Sequence, residues 1–165
     1  MHSWYALHVE TGRELAVAGA LRRKQVQAIV PMELRPERRQ GQTWKRAHIY
    51  VPGYVFIRLE IGPEAYYKIR AVPHVFRFLG GGAPDRIPDG QMRMMLALAA
   101  HGESMRPAPA AVRDGKTVIT GGPLRELTPE IVSVNTRSGR ATIAVRILEH
   151  TCRTTIQIQP DGRGA

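Results

Sequence analysis

The sequence predicts an α+β protein: a ferredoxin-like domain of order β-α-β-β-α-β, a linker, and a small all-β, SH3-like barrel. Three observations support this prediction. Helical periodicity alternates with β-rich runs up to residue 101, a Pro/Ala-rich stretch follows it, and short β-branched runs then recur about every ten residues. We therefore expect an N-terminal domain at 1–101, a linker at 102–111 and a barrel domain at 112–165.

The first two elements are a strand and a helix. Residues 4–10 are apolar and aromatic, which favours a strand. The T-x-x-E pattern at 11–14 is typical of a capping box, in which a threonine and a glutamate satisfy free amides at a helix start. It predicts an amphipathic helix over 12–26. The expected apolar face comprises Leu15, Ala18 and Leu21.

A charged excursion interrupts the next β-rich region. Residues 28–34 predict a second strand, interrupted or edged by Pro31. Residues 35–46 carry too many charges for a core element and predict a hairpin turning at Gly41. The β-rich stretch 48–59 is divided by Pro52-Gly53, which a continuous central strand would not tolerate.

Two further helices and a strand complete the N-terminal domain. Pro63 opens a short helix, residues 75–79 predict a strand, and Asp89 to His101 predict a third helix. The apolar face of that helix comprises Met92, Met95, Leu96 and Leu98.

Four short runs predict the strands of the barrel. They are KTVIT at 116–120, EIVSV at 130–134, RATIAVRI at 140–147 and TTIQIQ at 154–159. Because side chains alternate along a strand, Arg140 and Arg146 are expected on one face, with Ile143, Val145 and Ile147 in the core.

The charge indicates a polyanionic partner. The chain has 24 Lys+Arg against 14 Asp+Glu, a net charge of +10. Residues 22–46 hold eight cations and two anions. In a small protein without an apolar run long enough for a membrane span, this excess favours nucleic acid over a membrane. The single cysteine, and the absence of signal-peptide features at residues 1–9, favour the cytoplasm.

No pattern of catalytic or metal-binding residues stands out. The six histidines show no H-x-x-x-H or H-x-H spacing, and the single cysteine cannot build a thiolate zinc site. Gly80-Gly81-Gly82 lacks the Lys-Ser/Thr that follows a phosphate-binding loop. We expect no enzyme activity, no cofactor and no metal.

Several motifs, in order, resemble the NusG family of transcription factors. W-Y-A-L-H-V-E-T-G-R-E at 4–14, V-P-G-Y-V-F-I at 51–57, Y-Y-K-I-R-A-V-P at 66–73 and V-F-R-F-L-G at 75–80 are similar to its N-terminal (NGN) domain. V-I-T-G-G-P-L at 118–124 resembles the start of a KOW motif. The resemblance covers residues 3–158. In a KOW motif a glycine usually follows a few residues later; here Pro129 occupies that region and cannot adopt a positive φ, so this turn should differ.

Within the family, three segments are most similar to LoaP-type paralogues, which are processive antiterminators of long operons. They are V-E-T-G-R-E, I-V-P followed by P-E-R-R-Q-G, and V-I-T-G-G-P-L. A housekeeping NusG is the second interpretation and an RfaH-type factor the third. The β-branched C-terminal domain disfavours an RfaH-like helical state.

The resemblance implies that the protein binds the clamp helices of bacterial RNA polymerase through an apolar surface. The matching residues are Trp4, His8, Tyr50, Val51, Pro52, Tyr54 and Phe56. Because alternate strand residues share a face, Tyr54 and Phe56 are expected at the interface, with Val55 and Ile57 in the core.

The resemblance also implies nucleic-acid partners for the basic residues of both domains. Those of the N-terminal domain would contact upstream or non-template DNA: Arg13, Arg22, Arg23, Arg38, Arg39, Lys45 and Arg46. Those of the barrel would contact nascent RNA, such as a leader hairpin: Lys116, Arg125, Arg137, Arg140, Arg146 and Arg153.

The expected function is therefore processive antitermination at specific operons by a monomeric, cytoplasmic elongation factor recruited through nascent RNA. A housekeeping elongation/termination factor and a free-standing RNA-binding module are the alternatives.

Overall fold

The computed structural model describes residues 1–160. These residues form two compact units. The first comprises Met1–Val30, Val51–Met92 and Ile147–Glu149, and the second comprises Pro31–Tyr50, Arg93–Arg146 and the chain from His150 onwards.

Three α-helices and eleven strands follow one another along the described chain. In chain order they are β1 (Ser3–Val9), α1 (Glu14–Arg23), β2 (Gln27–Ile29), β3 (Met32–Arg39), β4 (Gln42–Ile49), β5 (Tyr54–Leu59), α2 (Pro63–Arg70), β6 (Val75–Phe78), α3 (Asp89–Ser104), β7 (Ala108–Arg113), β8 (Lys116–Ile119), a short 3-10 helix (Arg125–Leu127), β9 (Glu130–Asn135), β10 (Arg140–Ile147) and β11 (His150–Pro160).

The first unit contains the predicted ferredoxin-like sheet. Its four strands lie in the order β2-β5-β1-β6, and each neighbouring pair is antiparallel. The first helix connects β1 to β2, and α2 connects β5 to β6, so the predicted β-α-β-β-α-β order is confirmed once the β3–β4 hairpin is set aside. Leu7 and Val9 on β1 and Val55 and Ile57 on β5 are buried in its core.

The start of α1 differs from the predicted capping box. The helix begins at Glu14, and the preceding Arg13 makes no side-chain capping hydrogen bond. Glu14 is only 2% exposed, and its carboxylate accepts the amide of Gly12 at 2.7 Å and that of Gly53 at 2.9 Å. The glutamate therefore satisfies amides of two loops, and Thr11 is not the cap.

The apolar face of α1 also differs from the prediction at one residue. Ala18 and Leu21 are buried as expected, but Leu15 is 44% exposed. Val17 is buried in its place, because Glu14, Val17, Ala18 and Leu21 follow the i, i+3, i+4, i+7 pattern of one helix face.

The charged segment forms the predicted hairpin. The strands β3 and β4 pair in continuous register from Met32–Ile49 to Arg39–Gln42, which leaves a two-residue turn. Both turn residues, Gln40 and Gly41, have positive φ (51° and 78°), as a right-handed β-ribbon requires of its tight turn. The interruption predicted at Pro31 is confirmed, since β2 ends at Ile29 and β3 begins at Met32.

Helix α3 is longer than predicted and comes close to the hairpin. Met92, Met95 and Leu98 are buried as expected, whereas Leu96 is exposed. At its C-terminal end, a side chain at Gly102 would collide with the backbone of Met32. Glycine is therefore needed here for a close approach of two backbones.

The second unit contains a nearly closed barrel of five strands in the order β8-β7-β11-β10-β9. The four predicted strands are confirmed, but β7 was missed because it lies in the Pro/Ala-rich segment assigned to the linker. Alanine is small enough to be buried there, as Ala108 and Ala110 are, and Pro109 still offers its carbonyl to the amide of Thr120. Regular structure thus occupies most of 102–111, and the domain limits at 101 and 112 stay predictions.

The turn that follows the KOW-like sequence uses a residue beside Pro129. Thr128 adopts a positive φ of 40°, immediately before the proline that cannot do so. The expectation that this turn differs from the usual KOW turn stays a prediction.

We predict that Glu14→Gln lowers the free energy of unfolding by about 1–3 kcal/mol, because the amide group would leave one of two buried N–H donors unpaired. Urea unfolding measures this loss. Glu64→Gln is the matched control, since Glu64 also lies in the first turn of a helix but is exposed. Equal stability of the two variants would contradict the role given to Glu14.

Candidate functional site

One face of the first unit's sheet carries a cluster of accessible aromatic rings. The register places His8 directly opposite Tyr54, so the two side chains share a face. The His8 ring centroid lies 5.9 Å from that of Tyr54 and 5.3 Å, edge-on, from that of Phe76. Phe76 is 53% exposed and the other two rings are half-buried. An accessible cluster of this kind marks a surface for a partner.

Three of the residues expected at the polymerase interface are buried. Tyr50, Val51 and Phe56 are each at most 1% exposed, so the expectation that Phe56 offers its ring to a partner is wrong for this structure. In the register of the sheet, Phe56 lies mid-strand between Ala6 and Ile29, and its ring is covered within the fold. Val55 and Ile57 are core, as predicted.

The remaining expected interface residues stay accessible. Trp4, His8 and Tyr54 are half-buried and Pro52 is exposed. All of them belong to the first unit.

The β3–β4 hairpin brings four predicted nucleic-acid contacts together on one exposed ribbon: Arg38, Arg39, Lys45 and Arg46. Glu37 lies among them, at 4.0 Å from Arg39 and 3.8 Å from Arg46. Exposed ion pairs at such distances contribute little to stability, so these guanidinium groups remain available to phosphates.

The cations of α1 are less uniform. The guanidinium of Arg22 donates two hydrogen bonds to the carbonyl of Ala28, at 3.1 and 2.8 Å. Arg22 thus connects α1 to β2 although it is exposed, and its contact with DNA stays a prediction. Arg13 and Arg23 are exposed.

The barrel strand β10 follows the predicted alternation. Ile143, Val145 and Ile147 are buried, and Arg146 is exposed. Arg140 departs from the expectation of an open RNA-binding side chain, because it is half-buried and its Nη1 atom is enclosed without a hydrogen-bond partner in the described part of the chain. Of the predicted RNA contacts, those that are exposed are Lys116, Arg125, Arg137, Arg146 and Arg153.

A buried polar network lies at the base of the hairpin. The Tyr50 hydroxyl donates to Glu33 at 2.7 Å, and the Arg35 guanidinium pairs with the same carboxylate. Burial raises the pKa of Glu33, but the hydrogen bonds from Arg35 and Tyr50 outweigh it and hold that pKa below its usual value. Burial and the neighbouring Glu33 raise the pKa of Tyr50.

Two histidines face this network. The His48 and His101 rings lie 6.0 and 6.2 Å from that of Tyr50. Burial lowers the pKa of both imidazoles, and the charge of Arg35 lowers the pKa of His48 further. Although the charge of Glu33 acts in the opposite direction, the neutral form of both imidazoles is favoured near neutral pH.

Two aromatic residues of functional interest were missed in the sequence. Phe76 belongs to the strand predicted at 75–79 but was given no role, and Trp44 was treated as part of a charged run. The position of Trp44 within that run could have indicated an exposed ring, because a large aromatic side chain there has no apolar neighbours in sequence with which to pack.

Within residues 1–160, no group of three or more His, Cys, Asp or Glu side chains is arranged to hold a metal ion. The helices of the same residues include none with the length and apolarity needed to cross a membrane.

The fold and these surfaces define a binding protein with an accessible aromatic cluster on an α+β unit and exposed cations on a β-ribbon and a barrel. Residues 2–96 match the family described as "Transcription termination factor nusG". This chain belongs to the NusG family.

Full-length relatives agree with this assignment. A protein of Xylella fastidiosa (strain Temecula1) named "Transcription termination/antitermination protein NusG" is 30% identical over 89% of this chain and 91% of its own. Proteins of the same name from Pseudomonas aeruginosa and Thermus thermophilus are 29% and 28% identical over 87% of this chain, and cover 88% and 89% of their own. The solved structure "Domain interaction in Thermotoga maritima NusG" has the same fold, with a TM-score of 0.65, 24% identity, and coverage of 96% of this chain and 94% of that one.

The chain is thus a NusG-like transcription elongation/termination factor, and proteins of this family act with RNA polymerase. The predicted α+β fold with an N-terminal NusG domain and a C-terminal barrel is confirmed.

We predict that the free energy of unfolding falls as the pH drops below the ordinary imidazole pKa of about 6.5. The pKa values of His48 and His101 are lowered in the folded state, so the unfolded chain binds protons first and is favoured as the pH decreases. Urea unfolding at pH values on either side of 6.5 measures the effect. His101→Gln should reduce the pH dependence, whereas His150→Gln, at an exposed position, should retain it.

Proposed function

We propose that this protein is a specialised NusG-type factor that binds the clamp helices of RNA polymerase and promotes processive antitermination at particular operons, with recruitment through nascent leader RNA. The observation that carries the proposal is the set of exposed cations on the barrel, of which Arg146 extends outward from a strand whose alternate residues form the core. A C-terminal domain of this charge suits the phosphates of RNA.

The polymerase contact is assigned to the cluster of His8, Tyr54 and Phe76, with Trp4 and Pro52 at its margin. Aromatic side chains that lose their remaining solvent exposure on binding contribute a large share of interface energy. A protein bound in this way stabilises a closed clamp if its affinity is higher for closed than for open polymerase. The factor then acts in the cytoplasm, as a monomer and without chemistry of its own.

The hairpin cations are assigned to upstream or non-template DNA. They are exposed and concentrated on one ribbon, which suits contacts with a phosphate backbone. Arg13 and Arg23 on the first unit are assigned the same role.

A housekeeping elongation/termination role is the second candidate. It is favoured by the relatives, whose name covers both termination and antitermination. The two roles differ in their dependence on a leader sequence.

We predict that Tyr54→Asp strongly weakens binding to RNA polymerase while the far-UV circular dichroism spectrum is retained, because a carboxylate would be desolvated at an apolar contact. Phe56→Ala should instead lower the free energy of unfolding by about 3–5 kcal/mol, since Phe56 is fully buried. Polymerase pull-down and thermal unfolding separate the two effects. If the Tyr54→Asp variant folds and binds RNA polymerase as tightly as the wild type, Tyr54 does not belong to the interface.

The test of the proposed function is transcription in vitro through an intrinsic terminator placed behind the leader of the protein's own operon. We predict that the protein increases read-through on this template and not on one with a scrambled leader of equal length. Replacing Arg146 and Arg153 with glutamine should reduce the difference by weakening RNA phosphate contacts. Equal read-through on both templates would favour the housekeeping role.

A further inference from the structure

The hairpin holds an indole that its own fold does not cover. Trp44 on β4 is 58% exposed, although tryptophan is usually among the more buried residues. Its cross-strand partner is Glu37, a carboxylate that offers no apolar surface. The exposure of Trp44 is therefore a consequence of the ribbon's sequence, and its apolar ring is available to another molecule.

The register places cations beside this indole on the same face. Arg39 and Arg46 lie two residues from Glu37 and Trp44 along their respective strands, so their side chains point to the Trp44 side. Arg38, Thr43 and Lys45 point to the opposite side. The ribbon thus has one face that combines an aromatic ring with two guanidinium groups and another that lacks such a ring.

An open groove of about 630 Å³ lies against the aromatic face. Its lining includes Arg39, Trp44 and Arg46, together with Gln40 and Gln42 near the tip of the hairpin, and Glu37 and Lys45 also border it. The groove therefore combines a flat apolar ring, cations and amide groups that both donate and accept hydrogen bonds.

The two guanidinium groups are held only loosely. Glu37 lies 4.0 Å from Arg39 and 3.8 Å from Arg46, and the side chains of these arginines are 79% and 74% exposed. A single solvated carboxylate shared by two cations competes weakly with a phosphate, which can bind a guanidinium through two oxygens.

We infer that this face of the hairpin is a stacking site for an unpaired nucleobase. The ring of Trp44 stacks on the base, and Arg39 and Arg46 hold the phosphates on its two sides. This inference deepens the proposed function and rests on it for the class of ligand, a nucleic-acid strand. It adds that Trp44 contacts the base and that the hairpin binds the strand in its unpaired form.

The chemistry favours a single strand over a duplex. A base inside a duplex is stacked on both faces and offers only its edge, whereas Trp44 presents a flat ring. The flanking cations also favour a nucleic acid over an apolar protein partner, because a protein surface would have to desolvate Arg39 and Arg46 beside the ring. If Trp44 served a protein contact instead, replacing it with alanine would leave the affinity for a nucleic-acid strand unchanged.

The test uses the full chain, without polymerase, and a short fluorescein-labelled single-stranded DNA of mixed sequence, with its duplex as comparison. We predict tighter binding of the single strand in fluorescence anisotropy. Trp44→Ala should weaken single-strand binding about tenfold or more, because stacking on one base is lost. The slope of log affinity against log salt should stay unchanged, since no phosphate contact is removed.

Two further variants sharpen the test. Trp44→Phe should retain part of the affinity, because phenylalanine keeps an aromatic face, and it should abolish the quenching of Trp44 emission that the single-stranded DNA causes in the wild type. Thr43→Ala is the matched control: it is adjacent, exposed and on the opposite face, and should bind as the wild type does.

Wild-type affinity of the Trp44→Ala variant, or equal binding of single strand and duplex by the wild type, would overturn the inference. Because the titration contains neither a terminator nor the operon leader, its outcome is independent of the read-through experiment. Failure of antitermination would leave the stacking result standing, and failure of stacking would leave the proposed function to be judged on read-through alone.

Discussion

The buried carboxylate of Glu14 is the contact on which the geometry of the first unit depends. One carboxylate oxygen accepts a hydrogen bond from the amide of Gly12, before α1. The other accepts one from the amide of Gly53, which lies thirty-nine residues after Glu14 in the chain. The carbonyl of Gly53 in turn accepts the amide of Val9 at the end of β1. Helix, strand and loop are thereby fixed at one point, and β5 begins in a defined register immediately afterwards.

That register decides which side chains can meet a partner. A slip of one residue would turn every side chain of β5 to the other face, with Val55 outward and Tyr54 inward. In the observed register His8 and Tyr54 share a face and contact Phe76 through His8, while Val55 and Ile57 are buried in the core. The aromatic cluster is thus a consequence of backbone pairing, and the Glu14 contact lies at the start of the strand that provides it.

Periodicity allowed much of the fold to be predicted, and its limits explain the errors. The ferredoxin-like order, the hairpin at Gly41 and the barrel strands followed from alternating patterns and from turn residues. The strand β7 was missed because alanine and proline give no β-branched pattern, although Ala108 and Ala110 are small enough to be buried. The capping box at Thr11 was wrong because Gly53, distant in sequence, offered Glu14 another amide.

By itself the sequence determined the family, the basic character and the order of elements, because these depend on composition and local pattern. Only the tertiary structure decided which members of each pattern are accessible. Phe56 and Tyr54 have the same parity, yet the ring of Phe56 is covered within the fold, whereas that of Tyr54, at the start of the strand, is only half-buried. Trp44 stays exposed for the opposite reason, since a ribbon that pairs only with itself has no layer to cover the ring. Exposure depends on neighbours that are distant in sequence, and a local pattern does not contain them.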